Sequence, residues 1–390
     1  MKPLQTYRIP ELYAWPGALS ELPVLAARSG AKRLLIVTDT GIVQSGILDV
    51  VVKSLKGNQL ELLIESGISK EPSTGLVDKL YGRVKDFRPD LIVALGGGSP
   101  MDIAKLLSVM VHQGGEAVSY LFPDAVRTKG IPLIAIPTTA GTGSEVSPIA
   151  VFTDDSDGIK KAVVSRHLIP EVALLDAHLS LRMPALVTAG SGMDALTHAI
   201  EAYTSTRANA FSDSFAREAV RFIIPYLKTA VLSGLQQDAR HFMLLGSFYA
   251  GIAFTNAGVA AVHALAYPLG GLYDVPHGVA NSMLLPYVMQ FNKPACAGRY
   301  HELARITGII ETEDAPSGAD ALIRYIKQLS RDIGIPEGLH RVNIPELAIP
   351  GMAQSAAGIK RLMDNNPRPV TALDAEQIYR HAYGDALVAS

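Results

Sequence analysis

The chain has 390 residues and an apolar fraction of 48%, which is enough for two or three domains with packed cores. Its formal net charge is −2, so the charge selects for neither nucleic acid nor an anionic membrane surface as a partner. The single cysteine, Cys296, cannot form an internal disulfide, which is typical of a protein that works in the reducing cytoplasm.

Two segments bear on secretion and on membrane insertion. The opening residues, MKPLQTYRIPELYAWPG, contain no long apolar block of the kind that a signal peptide needs. The most apolar long stretch, residues 244–273, includes Asn256, His263 and Pro268 and lacks basic flanks. We therefore expect buried helices there and no membrane span.

The first half of the chain alternates between strand-like and helix-like segments. Apolar, β-branched runs predict strands within residues 31–39, 58–67, 90–99 and 131–146, and the spacing of residues 100–113 predicts a helix. Strands this apolar, separated by helices, are typical of a parallel sheet that is covered on both faces.

The pattern changes near Arg182, Met183 and Pro184. From there on, apolar residues recur mostly with the 3.6-residue period of an α-helix. We therefore predict an α/β domain over residues 1–183 and an all-α domain over residues 184–390.

A glycine turn, Gly96 to Gly98, separates a predicted strand from the helix that follows it. Ser99 can cap that helix, and Pro100 suits its first position. Glycines let a ligand approach the backbone closely, and the N–H groups at a helix start attract phosphate. The turn therefore favours pyrophosphate binding over a purely structural role, although it matches neither the G-x-G-x-x-G fingerprint nor a Walker loop.

Two other segments fit a dinucleotide. The loop from Thr138 to Glu145 is rich in small and hydroxyl residues and either contacts the cofactor or forms a satisfied turn. Asp39 ends the first strong strand, where a carboxylate either binds a ribose 2′-hydroxyl, and so repels a 2′-phosphate, or caps the next segment. Together with the glycine turn, Asp39 favours NAD over NADP.

Four residues of the second half can form a metal site. Asp194 and His198 are four residues apart, on one face of a predicted helix. His263 lies in an apolar segment where a charged imidazole is costly, and His277 follows Pro276 in a turn. Taken singly, such residues are more often capping pairs or hydrogen-bonded core histidines.

The ligand types narrow the choice of metal. Three nitrogens and one oxygen, with no thiolate, suit Fe²⁺, Zn²⁺, Mn²⁺ or Co²⁺. Four protein ligands permit catalysis only if the coordination expands, which Fe²⁺ accepts more readily than tetrahedral Zn²⁺. Iron is therefore the favoured metal, with zinc as the alternative.

Together these motifs resemble the iron-containing (group III) alcohol dehydrogenase family, in the family's order and over nearly the whole chain. They are GGGSPMDIAK (96–105), PTTAGTGSE (137–145), GMDALTHAIEAY (192–203), VHALAYPLGG (262–271), PHGVANSMLLPYV (276–288) and DNNPRPV (364–370). The resemblance implies a dehydroquinate synthase-like architecture, with a nucleotide-binding α/β domain and a helical domain, and a homodimer or larger assembly.

The resemblance also implies roles for individual residues. The metal ligands would be Asp194, His198, His263 and His277. The cofactor NAD would be held by Asp39, Gly97, Gly98, Ser99, Asp102, Thr138, Thr139, Thr142, Lys160 and Leu179.

One position departs from the family pattern. Many relatives carry a second histidine, near the nicotinamide, four residues after the third ligand, where this chain has Tyr267. A tyrosine hydroxyl can donate and accept, but its ordinary pKa of about 10 makes it a poorer proton shuttle. Three interpretations are open: the Tyr267 hydroxyl relays protons, water relays them instead, or Tyr267 has only a packing role. We expect Phe254 and Tyr267 to line a small apolar pocket.

We therefore expect a metal-dependent enzyme that transfers hydride reversibly between a small alcohol and NAD. Alternatives are a polyol dehydrogenase, a maleylacetate-type reductase or a cyclising lyase of the same superfamily, and a non-catalytic nucleotide-binding protein. The lyase needs extra basic residues that residues 245–275 lack, and few are evident near the metal for a maleylacetate-type site. The complete ligand set argues against a vestigial site.

Overall fold

The computed structural model describes residues 4–68, 72–311 and 314–384. The chain divides into an N-terminal unit, Gln5–Arg182, and a C-terminal unit that begins at Met183.

A parallel sheet organises the N-terminal unit. The strands are β1 (Glu11–Ala14), β2 (Arg33–Asp39), β3 (Glu61–Ile68), β4 (Leu91–Gly96), β5 (Leu133–Pro137), β6 (Ile149–Thr153), β7 (Lys160–Val164) and β8 (Val172–Leu175). Within the described residues, six of them pair in parallel in the order β1-β8-β5-β4-β2-β3, and β6 and β7 form a separate antiparallel pair.

Helices cover both faces of this sheet. They are α1 (Leu22–Arg28), α2 (Thr40–Gln44), α3 (Ile47–Ser54), α4 (Thr74–Phe87) and α5 (Gly98–Gln113). On β2, Leu35 and Val37 join the apolar cluster formed with α4 and α5, whereas Leu34 and Ile36 join the cluster formed with α1 and α3. Since successive strand residues point to opposite faces, this explains the unbroken apolar run. The predicted parallel α/β class is confirmed.

The C-terminal unit is helical, as predicted. Its helices are α6 (Ala185–Thr204), α7 (Ala210–Leu232), α8 (Gln237–Ala257), α9 (Ala261–Tyr273), α10 (His277–Ile306), α11 (Ala315–Asp332), α12 (Ile349–Ala357), α13 (Lys360–Met363) and α14 (Ala372–Tyr383). In the described chain no single helix is long and apolar enough to span a membrane. The pair α8 and α9, largely buried and bent by 107°, meets the criteria of length and composition only when taken together.

Helices α6 and α10 approach each other closely at two glycines. A Cβ atom on Gly278 would overlap the carbonyl oxygen of Gly190, whereas a Cβ on Gly190 would come no closer than 3.6 Å to Val279. His277 precedes Gly278, and Asp194 lies one turn beyond Gly190. The close approach therefore brings two predicted metal ligands side by side.

This contact makes a testable difference between the two glycines. We expect Gly278→Ala to lower the free energy of unfolding by about 1–3 kcal/mol, the usual cost of overpacking, in urea titrations followed by circular dichroism. Gly190→Ala is the matched control and should be neutral or stabilising, because alanine favours a helix by about 1 kcal/mol over glycine. Unchanged stability in Gly278→Ala, or an equal loss in Gly190→Ala, would contradict this contact.

Candidate active site

Three helices carry the predicted metal ligands. Asp194 and His198 lie one turn apart on buried α6, His263 lies on α9, and His277 opens α10. The Oδ1 atom of Asp194 is 4.0 Å from Nε2 of His198 and 3.7 Å from Nε2 of both His263 and His277. The rings of His198 and His263 stack with centroids 4.7 Å apart. The ligand atoms of Asp194, His263 and His277 lie within 4.8 Å of one another, and His198 adjoins Asp194 from the same helix. We call these four residues the ligand cluster.

The separations and the charges of the ligand cluster fit a divalent cation. Ligands about 2.0–2.2 Å from one ion lie roughly 3.3–3.6 Å apart at tetrahedral angles. The ligand atoms of Asp194, His263 and His277, which lie within 4.8 Å of one another, must therefore move inward to bind one ion, and His198 must turn toward them. Burial opposes ionisation of Asp194, yet the facing imidazoles and the Asn281 amide hold its pKa below the ordinary value. An ionised oxygen among imidazole nitrogens is a donor set that suits divalent iron or zinc.

Glu201, which the sequence analysis did not single out, orients His263. Its Oε2 lies 2.6 Å from Nδ1 of His263 and accepts a hydrogen bond from the backbone of Ala260, while Oε1 accepts one from Val262. Burial opposes protonation of His263, but Glu201 raises its pKa overall. With Nδ1 bonded to a carboxylate, Nε2 is directed at the ligand cluster. The only sequence signal was that Glu201 follows Asp194 by seven residues on one helix face.

Asn281, one turn after His277, reaches the middle of the ligand cluster. Its Nδ2 donates to Oδ1 of Asp194 at 2.7 Å and lies 3.2 Å from Nε2 of both His263 and His277. Its buried Oδ1 accepts no hydrogen bond from the described residues. Since buried polar atoms are nearly always satisfied, this acceptor marks a polar site with a missing partner. The Asn281 amide nitrogen now bonds to the ligand atoms and must turn away from them for a cation to bind there.

One side of the ligand cluster is open. The side chain of His277 is 48% exposed, whereas those of the other three ligands are at most 8% exposed. The ring of Phe254 lies 4.5 Å from that of His198, and half-buried Tyr267 follows His263 by one turn of α9. A ligand therefore reaches the cluster from the side of His277, and Phe254 lies where a pocket wall is expected.

The glycine turn in the N-terminal unit differs from the prediction in one respect. Helix α5 begins at Gly98 with Gly97 as its N-cap residue, so the predictions that Ser99 caps this helix and that Pro100 opens it were wrong. Gly96 has φ +141°, a conformation that favours glycine, and the chain enters the helix before it reaches Ser99. The N-cap residue Gly97 has no side chain with which to cap α5, so the first turn can serve as an anion site.

The predicted threonine loop packs on this turn. Oγ1 of Thr139 lies 3.4 Å from the position of a Cβ on Gly97, and Cγ2 of Thr142 lies 3.1 Å from that of a Cβ on Gly98. The backbone N–H of Thr138 donates to the carbonyl oxygen of Gly96. The two predicted cofactor segments therefore form one cradle at the ends of the adjacent strands β4 and β5.

Asp39 borders the same cradle. Its Oδ1 accepts a hydrogen bond from the backbone N–H of Ile42 and so caps α2, which is the structural role considered for it. Its Oδ2 lies 3.1 Å from the position of a Cβ on Gly96. A capping role and a position beside the glycine turn are thus compatible.

Asp102 lies beneath the threonine loop. Its Oδ1 accepts from the Ser144 hydroxyl at 2.7 Å and its Oδ2 from the backbone of Val151 at 2.9 Å. The ammonium of buried Lys105, whose pKa burial lowers to about 8, also donates to Ser144. Both Asp102 oxygens accept hydrogen bonds from the protein. Asp102 therefore influences a bound pyrophosphate by positioning the threonine loop.

Two further residues predicted to contact the cofactor lie in different surroundings. Lys160 opens β7 and is exposed, whereas Leu179 follows β8 and is buried in the apolar cluster with α1 and α3. Their contact with the cofactor stays a prediction.

Comparison with known proteins assigns the family. The model described as iron-containing alcohol dehydrogenase matches residues 10–177, and the C-terminal model of the Fe-containing alcohol dehydrogenase family matches residues 188–383. The long-chain-alcohol dehydrogenase 1 of Geobacillus thermodenitrificans (strain NG80-2) is 39% identical over 378 residues, which are 95% of each chain.

Solved structures agree with these matches. A 1,3-propanediol oxidoreductase has a TM-score of 0.94 and 35% identity, over 98% of this chain and 100% of that chain. The sulfoacetaldehyde reductase of Bifidobacterium kashiwanohense, solved in complex with NAD⁺, has a TM-score of 0.89 and 29% identity, over 99% and 100% of the two chains. The predicted family and enzyme class are confirmed: this chain belongs to the iron-containing alcohol dehydrogenase family and is an oxidoreductase that interconverts alcohols and aldehydes.

Proposed function

We propose that this enzyme uses NAD(H) and one divalent cation, Fe²⁺ in preference to Zn²⁺, to interconvert a small alcohol and its aldehyde. The convergence of Asp194, His198, His263 and His277 carries the proposal. We assign cofactor binding to residues 1–183 and metal binding to residues 184–390.

The choice of NAD is supported by charge. The carboxylate of Asp39 beside the glycine turn repels a 2′-phosphate and can accept from a 2′-hydroxyl. The proposed pyrophosphate site is the start of α5, at Gly97, Gly98 and Ser99. The threonine loop holds the neighbouring part of the dinucleotide through Thr138, Thr139 and Thr142, and the family resemblance adds Lys160 and Leu179. The related sulfoacetaldehyde reductase was solved with NAD⁺.

The protein contributes position and environment to the reaction. When bound, the cation supplies a Lewis acid for the substrate oxygen, and the nicotinamide takes or returns the hydride. Glu201 fixes the His263 ring so that Nε2 faces the ligand cluster. Phe254 and Tyr267 form apolar walls, which exclude water and select a small, uncharged substrate.

The proposal also covers the cellular location, the assembly and the partners of the enzyme. The enzyme is placed in the reducing cytoplasm, and this location is supported by its single cysteine, which is buried and free. The resemblance to the family supports a homodimer or larger assembly. The near-neutral net charge supports a small-molecule substrate without a nucleic-acid or membrane partner.

Metal analysis and an alcohol panel test the proposal. Anaerobically purified protein should contain a divalent metal, and addition of Fe²⁺ to the metal-free protein should restore NAD⁺ reduction by small primary alcohols more than addition of Zn²⁺. The measurements are elemental analysis and nicotinamide absorbance. Binding of NADH without NAD⁺ reduction by any alcohol of the panel would contradict the proposed reaction.

Removal of one ligand should separate metal binding from nucleotide binding. We expect His263→Ala to lose its metal and to lower turnover by more than about 100-fold, beyond the cost of losing an outer-shell partner. NADH binding, measured by fluorescence, should be unchanged. The control is His241→Ala, a half-buried histidine of α8, which should keep metal and activity. Full activity in His263→Ala would refute the ligand assignment.

Charge removal at Asp39 should relax cofactor choice. Asp39→Asn keeps the capping oxygen, because asparagine caps a helix about as well as aspartate, but it removes the negative charge. We expect the ratio of kcat/KM for NADP to that for NAD to rise at least about tenfold, which corresponds to 1.4 kcal/mol. Asp39→Gly, which also loses the cap, should shift the ratio in the same direction. An unchanged ratio in both variants would remove Asp39 from the nucleotide site.

A further inference from the structure

The motif DNNPRPV, residues 364–370, has no role in the ligand cluster or in the glycine-turn cradle. It directly follows α13 in the C-terminal unit. We propose that Asn365 of this motif is a positioning residue for the metal centre, acting through the α8–α9 link, residues 258–260, that leads to His263. The inference rests on the metal site proposed above.

The α8–α9 link depends on bonds from outside itself. Its residues belong to neither helix, and the chain turns by 107° across them. Gly258 has φ +79°, in the region that favours glycine. A three-residue link of this kind has no hydrogen-bond ladder, so neighbouring groups determine its shape.

Asn365 and Glu201 both bond to the link, Asn365 at Val259 and Glu201 at Ala260. The Nδ2 of Asn365 donates to the carbonyl oxygen of Val259 at 2.9 Å, and a Cβ on Gly258 would lie 2.5 Å from the same nitrogen. The carbonyl oxygen of Asn365 accepts from the backbone N–H of Thr206, and the Ser205 hydroxyl donates to the carbonyl of Ala257. The end of α6, the motif and the link are thus bonded to one another.

One peptide group connects Asn365 to the ligand cluster. The carbonyl that accepts from Asn365 belongs to the same planar peptide as the N–H of Ala260, which donates to Oε2 of Glu201 at 3.0 Å. The same Oε2 lies 2.6 Å from Nδ1 of His263. A peptide moves as a rigid plane. Loss of the Asn365 bond would therefore free the carbonyl side of the Val259–Ala260 peptide, whose N–H side positions Glu201 and, through it, His263.

The adjacent asparagine provides a matched control. Asn366 is buried like Asn365, but its side chain exchanges two hydrogen bonds with the amide of Asn292 on α10 and donates to the carbonyl of Arg368. These bonds stabilise the C-terminal unit without reaching the α8–α9 link. A general loss of stability can therefore be distinguished from a specific loss of metal affinity.

The test measures metal affinity on metal-free protein by competition of Co²⁺ with a chromophoric chelator. We expect Asn365→Ala to bind Co²⁺ about 10-fold more weakly, the lower end of the range for loss of an outer-shell partner, because Asn365 acts on His263 through Glu201. Its Co²⁺ absorption spectrum should also change, because the His263 ring is no longer held, while NADH binding stays the same. Asn365→Asp, which places an acceptor against the Val259 carbonyl, should be at least as weak. Asn366→Ala should lower the Tm but keep the wild-type affinity and spectrum.

Asn365→Ser retains a hydroxyl donor and carries the test if the alanine variant does not fold; its affinity should lie between those of wild type and Asn365→Asp. Wild-type affinity and spectrum in a folded Asn365 variant, or an equal loss of affinity in Asn366→Ala, would overturn the inference. Failure of the proposed metal site looks different, because the wild-type protein itself would then bind no metal. Failure of the proposed reaction would leave Co²⁺ affinity intact and abolish only NAD⁺ reduction.

Discussion

The C-terminal unit is organised around a buried negative charge. An isolated carboxylate inside a protein is costly, and it persists only when charged or hydrogen-bonding partners surround it. Asp194 receives these partners from α9 and α10, and α6 adds His198. The contact between Gly190 and Gly278 holds α6 against α10, and the carboxylate of Glu201 holds the ring of His263. Both contacts keep the partners of Asp194 in place. The packing of the helices and the chemistry of the site therefore depend on the same few contacts.

The two units build their sites by different physical means. In the N-terminal unit, the candidate site is mostly backbone: bare glycines at a strand end, the start of a helix and a loop that lies against them. In the C-terminal unit, the candidate site consists of side chains from three helices, with His263 oriented by Glu201 and Asp194 bonded to Asn281. Backbone sites leave short, recognisable sequence motifs, whereas side-chain clusters leave residues scattered over many turns of helix. This difference determines how much of each site is visible in a sequence.

The parallel sheet could be predicted because its strands are buried on both faces and hence continuously apolar, as in residues 34–37. The pair Asp194 and His198 was visible from helical spacing. A shared metal site with His263 and His277 was inferred from the residue types and their surroundings, and the family resemblance then supported it. The partners Glu201, Asn281 and Asn365 were missed, because long-range hydrogen bonds leave no local periodicity. The capping role given to Ser99 failed because consecutive glycines allowed the helix to begin earlier.

The unequal burial of the four ligands has a kinetic consequence. For an ion held in the ligand cluster, three ligands lie in the protein interior and His277 lies at the surface. Release of such an ion would begin at His277, and chelators and dioxygen would reach it along the same path. Ferrous iron held there would be exchangeable and prone to oxidation, so the metal carried by the protein would reflect the supply in its surroundings as much as the preference of its ligands.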